Sequence, residues 1–392
     1  SSPAVADINN DGETEIVFGS DDHTLYAVTC EGRVLWSYQT EDCIRSSPAI
    51  ADINNDGDTE IVFGSDDGNV YVLRGKDGSV VWKYFVNEKI RSSPLVYDLD
   101  NNGKMEIIFG SHNFVYALRE DGNILWTFST GERSNSSPAV TMEGNRCMVV
   151  IGSGDGKLHF VDAESGRKGW YRSTCGKLES SPAIADIDRD GDLEVVIGSS
   201  GNSIYAEGSR FFWNTVVEGS IRSSPAIADI NGNGTTEVIV GSDEGAVYAL
   251  NGNNGSLLWS YHTEGSIFSS PAVADIDGDG RCDIVVGSGD TCCYALTGDG
   301  RLLWKFPTGG RVESSPAIAD IDRDGYAEIV VGSNDGCVYV LDSEGVSKYW
   351  IGLLLGILVG FLLLLFLLRK RELYKSAVIY ARPCQIKNSH SA

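Results

Sequence analysis

The chain has 392 residues, with 55 acidic and 31 basic side chains, 46 glycines and a hydrophobic fraction of 42%. This composition can bury a real core, so it excludes an intrinsically disordered or a collagen-like chain. Residues 1 to 348 hold 54 of the acidic and 25 of the basic side chains. Such a negative field repels phosphate backbones, which argues against nucleic acid as a partner and favours cations.

A Ser-Ser-Pro segment opens a unit that recurs eight times, with starts at residues 1, 46, 92, 136, 180, 223, 269 and 314. Within one unit, such as 223–261, four short apolar runs are separated by Gly, Asn and Asp clusters, which predicts four strands. A period near 45 residues with four strands per unit predicts an all-β fold, an eight-bladed β-propeller over residues 1–345. Seven units carry a tryptophan 33 to 36 residues after their start, and we expect it to lock neighbouring blades by burying a large apolar area: Trp36, Trp82, Trp126, Trp170, Trp213, Trp259 and Trp304.

The eighth unit supplies only three strands before the sequence changes character near Tyr349. The sequence opens without an initiator methionine, and a signal peptide should precede an exported domain. We therefore expect the fourth strand of this blade to come from residues upstream of Ser1.

An acidic loop with a glycine separates the first two strands in seven units. Loop positions 1, 3, 5 and 9 carry side-chain oxygens and position 6 is glycine, a spacing that suits a hard cation. Clustered carboxylates repel one another unless neutralised, and calcium fits such loops better than magnesium with its stricter octahedron. The candidate ligands are Asp7, Asn9, Asp11, Glu15, Asp52, Asn54, Asp56, Glu60, Asp98, Asp100, Asn102, Glu106, Asp186, Asp188, Asp190, Glu194, Asp229, Asn231, Asn233, Glu237, Asp275, Asp277, Asp279, Asp283, Asp320, Asp322, Asp324 and Glu328.

These loops predict up to seven calcium sites. The loop at Asp229 is the weakest of them because it has only two carboxylates. The fourth unit has Thr141, Glu143, Asn145 and Val149 at the four positions, and we expect no ion there. The alternative is that the Asp, Asn and Gly residues only form turns.

The acidic loops resemble those of FG-GAP repeat proteins, the family of the integrin alpha-subunit propeller, whose Asp-x-Asp-x-Asp-Gly-x-x-Asp loops bind calcium. Phe18-Gly19-Ser20 and Val331-Gly332-Ser333 stand where that family has Gly-Ala-Pro, so the resemblance is to the loop and the following strand. The second half of each unit, such as 248–259, is similar to the tryptophan-docking repeat of eight-bladed quinoprotein-like propellers. The resemblance implies a fold and calcium binding over residues 1 to about 345, but no activity.

An uncharged run of twenty residues, 349–368, is long enough as a helix to cross the roughly 30 Å hydrocarbon core of a bilayer. The basic residues 369–371 follow it, so we expect one transmembrane helix in the plasma membrane, the propeller outside and a short cytoplasmic tail, 369–392. Gly352, Gly356 and Gly360 fall on one helix face and allow a homodimer, although glycine is common in such helices. The chain leaves the eighth blade on the side of the acidic loops, so that side should face the membrane.

The side away from the membrane is the candidate surface for a protein or glycan partner. The residues that enter the inner strands on that side are a mixed set that indicates no particular ligand: Arg45, Arg91, Asn135, Glu179, Arg222, Phe268 and Glu313. Eight of the nine cysteines precede the apolar run, which permits disulfides without requiring them. The pair Cys292-Cys293 resembles the vicinal disulfide of quinoprotein alcohol dehydrogenases, but its place in a predicted strand favours packed cysteines.

No phosphate loop, nucleophile elbow or His-rich metal motif is present in the sequence, so we expect no catalytic residues and no organic cofactor. The favoured function is a membrane-anchored, calcium-binding propeller at the cell surface that acts as an adhesion or receptor-like module. One alternative is a membrane-tethered, pyrroloquinoline-quinone-dependent dehydrogenase. Another is an envelope scaffold like the propeller lipoprotein of outer-membrane protein insertion, although a membrane span in place of a lipid anchor argues against it.

Overall fold

A computed structural model describes residues 1–208 and 211–342 together with the backbone of 377–380. This part of the chain forms eight sheets of four strands, and each sheet runs antiparallel in chain order. The eight-bladed propeller predicted from the 45-residue period is therefore confirmed.

The first four blades are built from strands β1 to β16. Their bounds are β1 (Ala4–Ala6), β2 (Glu15–Gly19), β3 (Thr24–Thr29), β4 (Val34–Gln39), β5 (Ala49–Ala51), β6 (Glu60–Gly64), β7 (Asn69–Arg74), β8 (Val80–Phe85), β9 (Leu95–Tyr97), β10 (Glu106–Ser111), β11 (Phe114–Leu118), β12 (Ile124–Ser129), β13 (Ala139–Glu143), β14 (Arg146–Gly152), β15 (Lys157–Asp162) and β16 (Lys168–Ser173). The innermost strand has three residues in every one of these blades except the fourth.

The last four blades repeat this order. Their bounds are β17 (Ala183–Ala185), β18 (Glu194–Ser199), β19 (Ser203–Glu207), β20 (Phe212–Val216), β21 (Ala226–Ala228), β22 (Glu237–Gly241), β23 (Ala246–Asn251), β24 (Leu257–His262), β25 (Ala272–Ala274), β26 (Asp283–Gly287), β27 (Cys292–Leu296), β28 (Leu302–Pro307), β29 (Ala317–Ala319), β30 (Glu328–Ser333), β31 (Cys337–Leu341) and β32 (Ala377–Tyr380).

The hydrophobic core lies between the blades. All five residues of the second strand β6 are buried, whereas the outermost strand β8 has residues that are exposed or half-buried. A strand covered on both faces is apolar along its whole length, which explains why runs such as Glu-Ile-Val-Phe-Gly do not alternate. The last and first blades pack in the same way, with Val330 and Val340 against Ile16 and Phe18, so hydrophobic contacts close the ring.

Glycine at the end of the second strand allows the next blade to approach closely. A Cβ placed on Gly64 would lie 2.3 Å from Cγ2 of Ile90, which is fully buried in the connection to the next blade. The same clash would occur between Gly19 and Ile44. Any larger side chain at these positions would have to displace the isoleucine or the backbone.

The two serines of each Ser-Ser-Pro segment have separate structural roles. The hydroxyl of the first serine accepts a hydrogen bond from the glycine N–H at the end of the second strand in all eight blades, as Ser92 does from Gly110 at 2.8 Å. The hydroxyl of the second serine accepts the N–H of its counterpart in the preceding blade at 2.9–3.2 Å. These bonds form a complete circle, because Ser315 of the last blade donates to Ser2 of the first.

The repeated tryptophans dock on the following blade, as predicted. Five indole N–H groups donate to a main-chain carbonyl of that blade at 2.7–3.0 Å: those of Trp36, Trp82, Trp126, Trp213 and Trp259. Trp170 is an exception: it stacks on Phe160 of its own blade at 3.8 Å, and its N–H has no acceptor among the described residues. The corresponding stretch of blade 5, between the end of β19 and the start of β20, is one residue shorter than in blades 2 to 4, and its sequence has no counterpart of the glycines that contact the indoles there, Gly78, Gly122 and Gly166.

Blade 8 takes its fourth strand from a distant part of the sequence. Strand β32, Ala377–Tyr380, pairs antiparallel with β31 over Cys337–Val340. We expected a strand from upstream of Ser1 at this place, so the structure differs from that expectation. An unpaired β31 edge offers main-chain donors and acceptors to any β-prone segment, and Ala-Val-Ile-Tyr is one.

Several predictions fall on other parts of the chain. The proposed span 349–368, with Gly352, Gly356 and Gly360, and most of the proposed tail lie outside the described residues. Within residues 1–208, 211–342 and 377–380, no helix is long and apolar enough to cross a membrane.

Candidate metal centres

The acidic segments form seven loops of one geometry between the first and second strands. In each loop the aspartate at position 1 accepts the N–H of the glycine at position 6, as Asp186 does from Gly191 at 3.1 Å. The oxygen at position 3 accepts the N–H of position 5, and the oxygen at position 5 accepts that of position 7, at 2.6–3.2 Å. The glycine has a φ of 84° to 92° in every loop, and residues other than glycine rarely adopt this left-handed conformation.

The acid at position 9 is buried beneath each loop. One of its oxygens accepts the N–H of position 2, as Glu194 does from Ile187 at 2.9 Å, and this bond recurs in all seven loops. Glu194 is only 1% exposed. Its bond therefore ties the start of the second strand to the end of the first, a structural role that the sequence did not reveal.

Some of the predicted carboxylate ligands keep an oxygen that the loop does not use. In contrast, both oxygens of the position-1 aspartate accept main-chain N–H groups in four loops, and the single side-chain oxygen of each predicted asparagine accepts one. Three of the unused carboxylate oxygens are buried and have no hydrogen-bond partner: Oδ1 of Asp7, Oδ1 of Asp186 and Oε1 of Glu237. Buried carboxylate oxygens without a partner are costly. Such orphaned oxygens fit a hard cation that takes six to eight oxygen ligands.

In four loops, carboxylate oxygens from three residues lie within 4.8 Å of one another: Asp98, Asp100 and Glu106; Asp186, Asp188 and Glu194; Asp275, Asp277 and Asp279; and Asp320, Asp322 and Glu328. The other three loops have an asparagine at position 3, namely Asn9, Asn54 or Asn231. The structure therefore brings three of the four selected residues together in each of the loops that begin at Asp98, Asp186, Asp275 and Asp320.

The crowding of carboxylates is visible in the acid–base properties of position 9. Burial, together with the charges of Asp188, Asp190 and Asp186, raises the pKa of Glu194 to about 7 against the opposing effect of the Ile187 hydrogen bond. Burial and nearby carboxylates likewise raise the pKa of Asp283 to about 6. A bound divalent cation would offset the repulsion between these like charges and so favour the ionised form of the position 9 acid.

The side chain at loop position 4 reaches the neighbouring loop. Asn10 donates to the carbonyl of Gly57 at 3.0 Å. In the fifth blade the residue at this position is Arg189, and a Cβ on Gly234 of the next loop would lie 3.5 Å from its Nη1. This guanidinium already supplies positive charge beside the Asp229 loop, which has only two carboxylates.

Blade 4 has no acidic loop. Its first two strands are joined by a tight hairpin at Gly144 and Asn145, in which Glu143 pairs with Arg146. Thr141 and Glu143 lie in β13 and Val149 lies in β14, so the four positions considered in the sequence do not surround a common point.

Two family models match separate parts of the chain. A model described as an FG-GAP-like repeat matches residues 52–109, 229–286 and 275–331, and each match begins at the first aspartate of an acidic loop. The chain is an eight-bladed propeller with FG-GAP repeats. A second model, described as the outer membrane protein assembly factor BamB, matches residues 111–206 of this FG-GAP propeller, which include blade 4.

Solved structures share the fold of the FG-GAP propeller at low sequence identity. BamB from Moraxella catarrhalis is 18% identical, with a TM-score of 0.61, over 88% of this chain and 94% of that one. Two crystal structures of BBS1N in complex with ARL6DN, soaked with lead or mercury, are 11% and 10% identical, with TM-scores of 0.54 and 0.52. They cover 77% and 76% of this chain and 90% and 89% of those. No curated protein sequence matches the chain.

On the face of the FG-GAP propeller opposite the acidic loops, several candidate partner residues form ion pairs. Arg45 donates to Asp21 at 3.0 Å, and Arg91 lies 2.8 Å from Asp66 in the adjacent hairpin. A cleft of about 720 Å³ on this face is bounded by Ser1 and by blades 1 and 8, so it belongs to the junction of these blades.

Arg222 is also paired on this face, 3.3 Å from Glu179, and its guanidinium lies 5.8 Å from the centre of the Phe268 ring. These contacts account for several of the side chains that we considered as ligand contacts.

The adjacent cysteines of blade 7 are packing residues. Cys292 and Cys293 are buried in β27 as free thiols. Cys292 packs with residues of blade 6 and Cys293 with residues of blade 8, so the two side chains lie on opposite faces of the strand. Burial raises the pKa of the Cys293 thiol to about 12, which leaves it unreactive.

Proposed function

We propose that the FG-GAP propeller is a calcium-stabilised, non-catalytic binding module. The observation that carries this proposal is the geometry of the seven loops: each has its ligand oxygens held by main-chain N–H groups, and several buried carboxylate oxygens are left without partners. Calcium at these places would neutralise the acid clusters and join the first and second strands. Its binding energy would therefore add to the stability of the folded ring.

The test is thermal unfolding of the full chain in mild detergent, in chelator, in calcium and in magnesium. Calcium should raise the unfolding temperature well above the value in chelator, because each site filled at 100 times its dissociation constant adds about 2.7 kcal/mol. Magnesium should raise it much less. Equal unfolding temperatures in chelator and in calcium would contradict the proposal.

Calcium stoichiometry provides a test of a single loop. The double substitution Asp275→Ala with Asp279→Ala should lower the number of bound calcium ions by one, because it removes two of the three clustered carboxylates. The matched control is Glu143→Ala in the blade 4 hairpin, which should leave the number unchanged. A count that the double substitution does not alter would contradict the assignment of this loop.

The partner surface in this proposal is the face opposite the acidic loops, and its ligand is a protein or glycan. That face is lined by charged side chains that pair a hairpin with a neighbouring connection, such as Asp21 with Arg45. Such pairs can exchange partners without unfolding a strand. A photo-crosslinker in place of exposed Arg222 should capture the partner in cells. The control is the same photo-crosslinker in place of exposed Glu13 on the acidic-loop face, which should not capture this partner.

Membrane anchoring through 349–368 also belongs to the proposal. A single span there would put residues 377–380 on the other side of the bilayer from the propeller, so β32 could not pair with β31 in that state. Cys384, which lies outside the described residues, distinguishes the two arrangements. An impermeant maleimide added outside intact cells should leave Cys384 unlabelled if the span crosses the membrane, and should label it if residues 377–380 stay on the propeller.

A second candidate is a scaffold for protein assembly in the cell envelope. It is favoured by the match of residues 111–206 to the BamB model and by a shared fold over most of both chains. The crosslinking experiment separates the candidates: a membrane-embedded assembly protein captured at Arg222 would support the scaffold, and an extracellular protein or glycan would support the adhesion or receptor-like module. The dehydrogenase has no such support, because Cys292 and Cys293 are buried in separate blade interfaces.

A further inference from the structure

A second group of metal-ligating side chains lies outside the acidic loops. His23, Asp42 and Cys43 each place one ligand atom so that all three atoms lie within 4.8 Å of one another. His23 is in the hairpin between β2 and β3, and the other two residues are in the connection from β4 to blade 2. The group is on the opposite face from the acidic loops, and all three residues are half-buried.

This combination of residues occurs in only one of the blades described. At the place of His23 the hairpins of four other blades have glycine: Gly68, Gly156, Gly245 and Gly336. At the place of Cys43 the other connections have Lys89, Arg133, Lys177, Ser220, Ser266 and Arg311. His23 precedes Asp42 and Cys43 by 19 and 20 residues in the sequence, and it meets them because the β2–β3 hairpin and the β4–β5 connection lie side by side.

The main chain around the three residues is fixed by hydrogen bonds. The N–H and the hydroxyl of Thr40 lie 2.8 and 2.9 Å from the carbonyl oxygen of His23. The same hydroxyl is 2.7 Å from the carbonyl oxygen of Asp42. Thr40 therefore joins the two segments that carry the ligands, and Oδ1 of Asp42 accepts the N–H of Cys43 at 2.7 Å.

The ligand atoms themselves have few competing partners. The imidazole of His23 has no hydrogen bond among the described residues, and the Cys43 thiol donates to the carbonyl of Asp21 at 3.4 Å and also hydrogen-bonds the Asp42 carboxylate, itself one of the three ligands. Oδ2 of Asp42 is 3.4 Å from the ammonium of Lys89, which also bonds Asp66 at 3.2 Å. A metal ion that displaced Lys89 from Asp42 would therefore leave the lysine ammonium still paired with the Asp66 carboxylate.

The donor set selects the kind of metal. Imidazole, thiolate and carboxylate together suit zinc and similar transition ions, whereas calcium takes only oxygen. A tetrahedral zinc ion with these ligands has them about 3.3–3.6 Å apart, so the group would need to contract by no more than about 1.5 Å. Three protein ligands leave the fourth position to water.

We propose that His23, Asp42 and Cys43 form a binding site for one zinc-like transition metal ion, separate from the calcium loops. The site sits on the face assigned to the partner, so a bound metal would fix the hairpin and the connection at the edge of that surface. The proposal is independent of calcium binding.

Cobalt(II) is the probe, added to the full chain in excess calcium so that the oxygen loops are filled. One equivalent should give the near-ultraviolet absorption of a thiolate bound to cobalt and the visible bands of a tetrahedral ion. Cys43→Ser should remove the thiolate band. His23→Ala should weaken cobalt binding at least about tenfold, the lower end of what losing an outer-shell partner costs. The matched control is Cys175→Ser, which changes an exposed thiol in the same connection of blade 4 and should alter nothing.

A second measurement needs no variant. Zinc should slow alkylation of Cys43 in the unaltered chain, read by peptide mass, without slowing that of Cys175. The proposal is overturned if one equivalent of cobalt gives no thiolate band, if the band survives Cys43→Ser, or if zinc leaves the alkylation rate of Cys43 unchanged.

Discussion

The docking of Trp126 gives the sharpest test of how the blades are held together. Trp126 is 6% exposed and its indole N–H donates to the carbonyl of Ala163 in the next blade at 2.7 Å. Its ring lies against Gly166, on which a Cβ would be 2.5 Å from Cγ of the indole. Trp126→Ala removes this packing and leaves a polar group without its donor.

The expected cost of Trp126→Ala is about 3–5 kcal/mol, the range for truncating a large buried aromatic side chain. The structure supplies a control of the same residue type at the same place in the adjacent repeat. Trp170 is 36% exposed and makes a stacking contact with Phe160, but no inter-blade hydrogen bond among the described residues. Trp170→Ala should therefore cost less than Trp126→Ala, because part of the Trp170 ring is already in water and the variant loses no inter-blade hydrogen bond; its stacking on Phe160 adds only about 0.5–1.5 kcal/mol beyond the buried area.

Both free energies can be measured by urea unfolding of the full chain in calcium, followed by far-ultraviolet circular dichroism because the substitutions remove a fluorophore. The midpoint should fall further for Trp126→Ala than for Trp170→Ala. The urea midpoint of Trp126→Phe should lie between those of the two alanine variants, since phenylalanine keeps most of the ring and loses the N–H donor. If the two alanine variants lost equal stability, the inference that inter-blade docking, rather than tryptophan burial in general, stabilises the ring would be refuted.

Two further predictions concern the loops and the close contacts. In chelator, the unfolding temperature should fall as pH rises from about 5 to 8, because Glu194, with a folded-state pKa of about 7, binds its proton more tightly in the folded than in the unfolded protein. Glu194→Gln should flatten that slope, and an equally steep slope in the variant would count against the assignment. Gly64→Ala should destabilise the chain by about 1–3 kcal/mol through its clash with Ile90, measured by the same urea titration. Adding Ile90→Ala should recover part of the loss of Gly64→Ala, and a strictly additive loss would contradict the clash.

The blades could be predicted from the sequence because their signals are local. Apolar runs of five residues bounded by glycine and aspartate specify strands such as β6, and the spacing of Asp186, Asp188 and Glu194 specifies a loop whose oxygens meet. The repeat adds weight to each signal, since one motif appears many times.

The features that could not be predicted depend on contacts between distant residues. Ser2 and Ser47 are 45 residues apart, and nothing local in Ser-Ser-Pro shows that one donates to the other. The undocked Trp170 follows from a shorter connection in a different blade. The meeting of His23 with Cys43 requires the relative placement of two neighbouring connections, which the strand pattern alone does not give.

The circle of serines has an electrical consequence. All eight N–H groups point in the same rotational sense around the central axis, each toward the next blade in chain order. The in-plane components of dipoles arranged head to tail around a closed ring cancel as vectors, so these bonds add cohesion without a net dipole across the ring. The charged groups lie instead at the two ends of the propeller, with carboxylate loops at one end and ion-paired side chains at the other.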